Sequence, residues 1–107
     1  MLKARISVPS SATRGEVITI KTLVSHPMET GFRRDALGSP IPRNILTDFE
    51  CRLDDEVIFR ARFHPAVAAN PFLAFPLRAE RSGTLRFLWR DQDGEETVLT
   101  RELTVDG

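Results

Sequence analysis

Apolar and polar residues alternate with a period of two through most of this 107-residue chain, and the interruptions carry Pro, Gly, Asp and Ser. That spacing predicts half-buried strands, because successive side chains of an extended backbone point to opposite faces. Ala4 to Val8 reads as a first strand stopped by Pro9. After a turn at Thr13, Arg14 and Gly15, a second strand places Ile18, Ile20, Thr22 and Val24 on one face. In a third, Ile45, Thr47, Phe49, Cys51 and Leu53 share a face opposite Asp48, Glu50 and Arg52. Asp54 and Asp55 form a tight turn into a fourth, where Val57, Phe59, Ala61 and Phe63 alternate with Arg60, Arg62 and His64. Strand signals resume at Phe72 to Ala79, break at Ser82 and Gly83, continue through Leu85, Phe87 and Trp89, turn at Asp93 and Gly94, and finish at Val98 to Val105. The one helical candidate is HPAVAAN (residues 64–70), a single turn opened by Pro65 and closed by Asn70.

About seven strands in one short chain, with turns every 8 to 12 residues, predict an all-β, immunoglobulin-like β-sandwich occupying residues 1–107 as a single domain. With 41% apolar residues the chain can fill one ordinary core. The antibody version of the fold does not fit, since it needs two bridging cysteines and a tyrosine corner, and the chain has one Cys and no Tyr. The alternation lapses in METGFRRDALGSPIPR (residues 28–43). A loop of that length inside a compact domain usually carries function.

Fifteen basic residues balance fifteen acidic ones, so no net field draws the chain to nucleic acid or an anionic membrane, and electrostatic recognition has to be local. Thirteen of the basic residues are Arg, which suits bidentate contacts to carboxylates and oxyanions but follows more readily from biased genome composition. A lone cysteine excludes an internal disulfide and a multi-cysteine metal site. No apolar run has the length of a signal peptide or a membrane span, so the expectation from the residues is a soluble chain without an export signal of its own.

Catalytic chemistry finds little to work with. A nucleophile needs a base within hydrogen-bond reach, and only Cys51, His26 and His64 offer the parts. Cys51 lies on an apolar strand face, where burial makes a thiol inert, and it reads as core filler. His26 and His64 each precede a proline at a strand end and lack a neighbouring carboxylate pair at ligand spacing; they read as capping or surface histidines, not metal ligands. The run DQDGEE (residues 91–96) lacks the oxygen pattern of a calcium loop and reads as a hairpin turn. No catalytic, cofactor or metal site is expected. The more informative candidates are for partner binding. Arg33, Arg34 and Arg43 on the long loop either meet anionic groups of a partner or simply point at water. Met28, Phe32, Phe72 and Leu73 are candidates for an apolar interface patch.

Three runs in this order carry a resemblance: GEVITIKTLVSHPMETG (residues 15–31), GSPIPRNILTDFEC (38–51) and PAVAANPFLAF (65–75), followed by SGTLRFLWRDQDG (82–94). The chain resembles the SoxZ family, the non-carrier subunit of the SoxYZ sulfur-carrier complex of bacterial thiosulfate oxidation. The resemblance implies a β-sandwich that pairs with SoxY, whose glycine-flanked C-terminal cysteine holds the sulfur intermediates, while this chain, ending TVDG, is a scaffold and not an enzyme. It further implies transient docking to other Sox enzymes and a periplasmic location reached on the SoxY export signal. A homodimeric adaptor unconnected with sulfur gives the same strand pattern, and a hydrolase built on Cys51 with His26 is the enzymatic alternative. An isolated subunit of this kind is expected to cover its apolar patch by homodimerising.

Overall fold

The alternating runs assemble into two sheets in the computed structural model, which describes residues 2–64 and 69–107. The strands are β1 (Ala4–Ser7), β2 (Ser11–Thr13), β3 (Val17–Val24), β4 (Leu46–Leu53), β5 (Glu56–Arg62), β6 (Phe72–Arg78), β7 (Gly83–Asp91) and β8 (Glu96–Asp106). A three-stranded sheet runs β1-β3-β6 and a five-stranded sheet runs β2-β8-β7-β4-β5. All neighbours are antiparallel except β2, which lies parallel to β8.

Each sheet turns its apolar face inward, as the period of two requires. Ile18, Ile20 and Val24 from β3 and Phe75 from β6 meet Phe49, Cys51, Leu85, Phe87 and Trp89 from β4 and β7, all buried. Phe49 is the hub: its ring lies 5.2 Å from Trp89, 6.0 Å from Phe75 and 6.1 Å from Phe59, centroid to centroid, in tilted arrangements that aromatic quadrupoles favour. Phe59 and Phe75 stack almost parallel at 4.2 Å, linking β5 and β6, the edge strands of opposite sheets.

The all-β sandwich matches the sequence expectation, with three local departures. β2 is an additional short strand where a turn was expected; three residues, Ser-Ala-Thr, hold too little periodicity to register, and only Ala12 among them is buried. A register shift between Leu46 and Asp48 buries both Ile45 and Leu46 and leaves Thr47 half-buried, its hydroxyl donating to the Arg90 carbonyl. A second shift, beside Cys51 and Arg52, pairs Cys51 with Phe59 but Arg52 with Val57, so Val57 is exposed instead of sharing the inner face. Residues 65–68 of the expected helical turn lie outside the described residues. Asn70, at its end, does take a left-handed backbone (φ 53°).

The segment between β3 and β4 stands away from this body. The molecule measures 61 × 19 × 18 Å. Residues 32–40 of the β3–β4 connection are all exposed, in keeping with a segment that projects from the sheets. The radius of gyration, 16.4 Å, exceeds the roughly 13 Å of a compact chain this long.

Candidate partner interface

The β3–β4 connection is an ordered hairpin arm. At its base Glu29 and Asn44 exchange two backbone hydrogen bonds of 2.7 Å each. At its tip the Asp35 carboxylate accepts from the Leu37 and Ser39 amides at 2.9 and 3.0 Å, and the Arg34 guanidinium donates to the Gly38 carbonyl at 2.8 Å. Gly31 (φ 89°) is required midway, because a Cβ there would also meet the Arg43 Cβ at 3.1 Å. Phe32 and Leu37 are 90% and 92% exposed.

This geometry divides the residues singled out from sequence. Phe32 is exposed as an interface residue must be. Arg33 pairs with Glu29 at 3.1 Å and Arg34 closes the tip, so both have work within the arm, while Arg43 is exposed alongside Gly31. Met28 does not belong to any surface patch: it is only 5% exposed. Its amide donates to His26 Nδ1 at 2.9 Å in a left-handed turn (φ 52°), and its sulfur accepts the Leu46 N–H at 3.3 Å in the core. A sequence pattern cannot anticipate that turn, since Met rarely adopts it.

His26 is correspondingly a buried histidine beside a carboxylate, where the sequence reads as a capping or surface histidine. With Nδ1 accepting from Met28, the neutral ring carries its proton on Nε2, which faces Asp91 Oδ2 at 3.8 Å. Burial pushes the imidazole pKa below its usual value despite the opposing pull of Asp91. Asp91 itself caps the β7–β8 turn, accepting from the Asp93 and Glu95 amides at 3.0 and 2.9 Å, so DQDGEE is the hairpin turn its sequence suggested. Cys51 is sealed in the core, and desolvation pushes its thiol up to about 12. The Cys51–His26 nucleophile–base pairing finds no support: the thiol is protonated and the imidazole nitrogen that would act as base is occupied. Among the described residues no group of three or more His, Cys, Asp and Glu side chains could hold a metal ion.

The outer faces of the two sheets differ in kind. On the five-stranded sheet, Glu50 binds Arg60 and Arg52 at 3.1 and 3.2 Å, Asp48 faces Arg62 at 3.9 Å, and Arg90 pairs with Glu96. On the three-stranded sheet, the strand registers turn ten residues outward, among them Arg5, Lys21 and Arg78 but not one carboxylate. Apolar side chains sit between these cations. Leu23 (41% exposed) lies directly across from Phe72 (59% exposed), and Ala74, Pro76 and Val17 extend the patch along β6 and β3. Phe72 is thus exposed as expected. Its neighbour Leu73 points the other way, half-buried against the core, and lines a depression at the sheet edge together with Phe72, Ala61 and Phe63. Beside Leu23 a depression of about 260 Å³ is lined by Lys3, Arg5, Ser25 and Asn70. Leu23, Lys3 and Arg5 were not singled out from sequence; the outward position of Leu23 was readable from the alternation that put Val24 inside.

Residues 6–101 match the family model described as Sulphur oxidation protein SoxZ. The chain belongs to the SoxZ family. A comparison with curated proteins returned no match. Among solved structures, this chain is similar to the superoxide reductase (neelaredoxin) of Ignicoccus hospitalis, with 17% identity and a TM-score of 0.72 over 96% of this chain and 80% of that one. It is also similar to the sulfur carrier protein SoxY of Chlorobium limicola f thiosulfatophilum, with 15% identity and a TM-score of 0.68 over 97% and 79% of the two chains. At these identities the likeness establishes a shared sandwich fold. Membership of the SoxZ family ties the chain to sulfur oxidation.

Proposed function

We propose that this chain is the scaffold subunit that pairs with SoxY and presents SoxY's cysteine-bound sulfur intermediates to the enzymes of a periplasmic thiosulfate-oxidation cycle. The observation that carries the reading is the state of Cys51. A sulfur carrier needs a thiolate that enzymes can reach, and the nucleophile in every exchange step is the ionised form. Cys51 has no exposed surface and a pKa of about 12, so at neutral pH it is a protonated filler between Phe59 and Phe87, its cross-strand neighbours on β5 and β7. A member of a sulfur-oxidation family that has no accessible thiol therefore depends on another chain for the covalent chemistry, and SoxY, by its description a sulfur carrier, is the protein suited to supply it.

In this reading the two-sheet body is a rigid platform, and the hairpin arm offers enzymes a recognition surface. Arg33, Arg34 and Arg43 add positive charge along the arm, suited to an anionic sulfonate carried nearby. The test is to co-express the chain with SoxY, turn the pair over with thiosulfate and the oxidising enzymes, and weigh both subunits intact. Added sulfur mass on SoxY alone is expected; an adduct on Cys51 would overturn the proposal. Replacing the three arm arginines by Ala is expected to slow turnover severalfold, and an unchanged rate would remove their role.

A further inference from the structure

We infer that the partner docks on the outer face of the three-stranded sheet, and that the occupant is a SoxY surface with apolar side chains at its centre and carboxylates around them. This deepens the pairing proposed above and rests on it. Charge complementarity singles out this face. Lys21 and Arg5 have no ion-pair partner among the described residues, and Arg78 donates only to the Gly15 carbonyl at 3.3 Å. The opposite sheet sets Asp48, Glu50 and Glu96 against Arg52, Arg60, Arg62 and Arg90, and leaves Arg86 alone of its outward strand cations without a carboxylate among the described residues. Leaving cations without carboxylates around an exposed Leu23–Phe72 pair is the arrangement of an interface whose acidic half lies on another molecule.

The depression beside Leu23, edged by Lys3 and Arg5, gives that half a specific seat: a partner carboxylate entering there meets two cations while its aliphatic stem rests on Leu23. Ten outward side chains fall short of the roughly 20–30 residues that a standard interface uses on each side. The contact therefore continues past the end of β3 at Val24 onto the arm that begins directly after it, where Phe32 and Leu37 stand free.

The experiment is calorimetric titration of purified SoxY into the full chain and four variants, each first checked for an unchanged melting temperature. Phe72→Asp and Leu23→Asp are expected to weaken binding at least 100-fold. Lys21→Glu is expected to weaken it about tenfold and to flatten its dependence on salt. Thr100→Asp, on the outer face of the other sheet, is expected to change affinity less than threefold. If the native chain fails to bind SoxY, the pairing itself falls and this inference with it. If the native chain binds and the Phe72 and Leu23 variants bind equally well, pairing stands and the docking face is wrong. If sedimentation shows a native dimer that Phe72→Asp dissolves while SoxY affinity is unaltered, the face belongs to a second copy of this chain and the inference is overturned.

Discussion

The five-stranded sheet sets a carboxylate against each of its outward strand cations except Arg86, whereas the three-stranded sheet offers its own none, although both are built from the same alternation over one core. On β4, β5, β7 and β8 a carboxylate sits one strand away from Arg60, Arg62 and Arg90, at distances where cross-strand pairs contribute a few tenths of a kcal/mol to about 1 kcal/mol each. On β1, β3 and β6 the cations Arg5, Lys21 and Arg78 gain nothing of that kind. Charge pairing thus separates two faces that read alike in hydropathy, and it is on this difference that the proposed docking face rests.

The comparison can be broken most forcefully at the core the two sheets share. Phe49→Ala removes the ring that touches Phe59, Phe75, Phe87 and Trp89, and is expected to cost about 3–5 kcal/mol in urea unfolding, loosening both faces together. Next in size, labelling of Cys51 by an aromatic disulfide reagent at pH 8 is expected to be on the order of 100-fold slower in the native protein than in guanidinium, since the thiol is buried and its pKa is raised to about 12. Fast native labelling would mean that the sheets part readily.

A pair of charge inversions sharpens the contrast itself. Glu50→Lys places a third cation beside Arg52 and Arg60, and is expected to lower stability by about 1 kcal/mol while leaving SoxY affinity unchanged. Lys21→Glu is expected to do the reverse, lowering affinity with no loss of stability. Equal behaviour of the two variants would erase the distinction between the faces.

The smallest effect concerns the junction of the sheets, where His26 at the end of β3 faces Asp91 at the end of β7. Burial holds the imidazole below its ordinary pKa of 6.5, against the pull of Asp91, Glu95 and Asp93. As pH falls, the unfolded chain takes up this proton before the folded one, so the histidine's contribution is whole above about pH 7 and declines on acidification through 6.5. The urea midpoint is expected to drop between pH 7.5 and 5.5, and His26→Gln to flatten part of that slope.

Much of the sandwich was legible in the sequence because a half-buried strand writes its burial directly as alternation: Ile18, Ile20, Thr22 and Val24 are buried as that spacing demands. What escaped was set by partners distant in the chain. β2 exists through its pairing with β8, and the shifts at Leu46–Asp48 and Cys51–Arg52 reflect the fit of one strand to another. The interface candidates divided in the same way. Phe32 and Phe72 stand outside a local pattern, while Met28 is drawn inward by His26 and Leu46 and Leu73 by the strand's own parity. Leu23, Lys3 and Arg5 needed the register of β1 on β3 and of β3 on β6 before they gathered into one place.

The parallel pairing of Ser11–Thr13 with Thr104–Asp106 has a consequence for synthesis. Because contacts so far apart in sequence form slowly and late, β2 keeps a bare edge until β8 has been made, long after β1 has found β3. During that interval the bare edge is open to pairing with an unrelated strand.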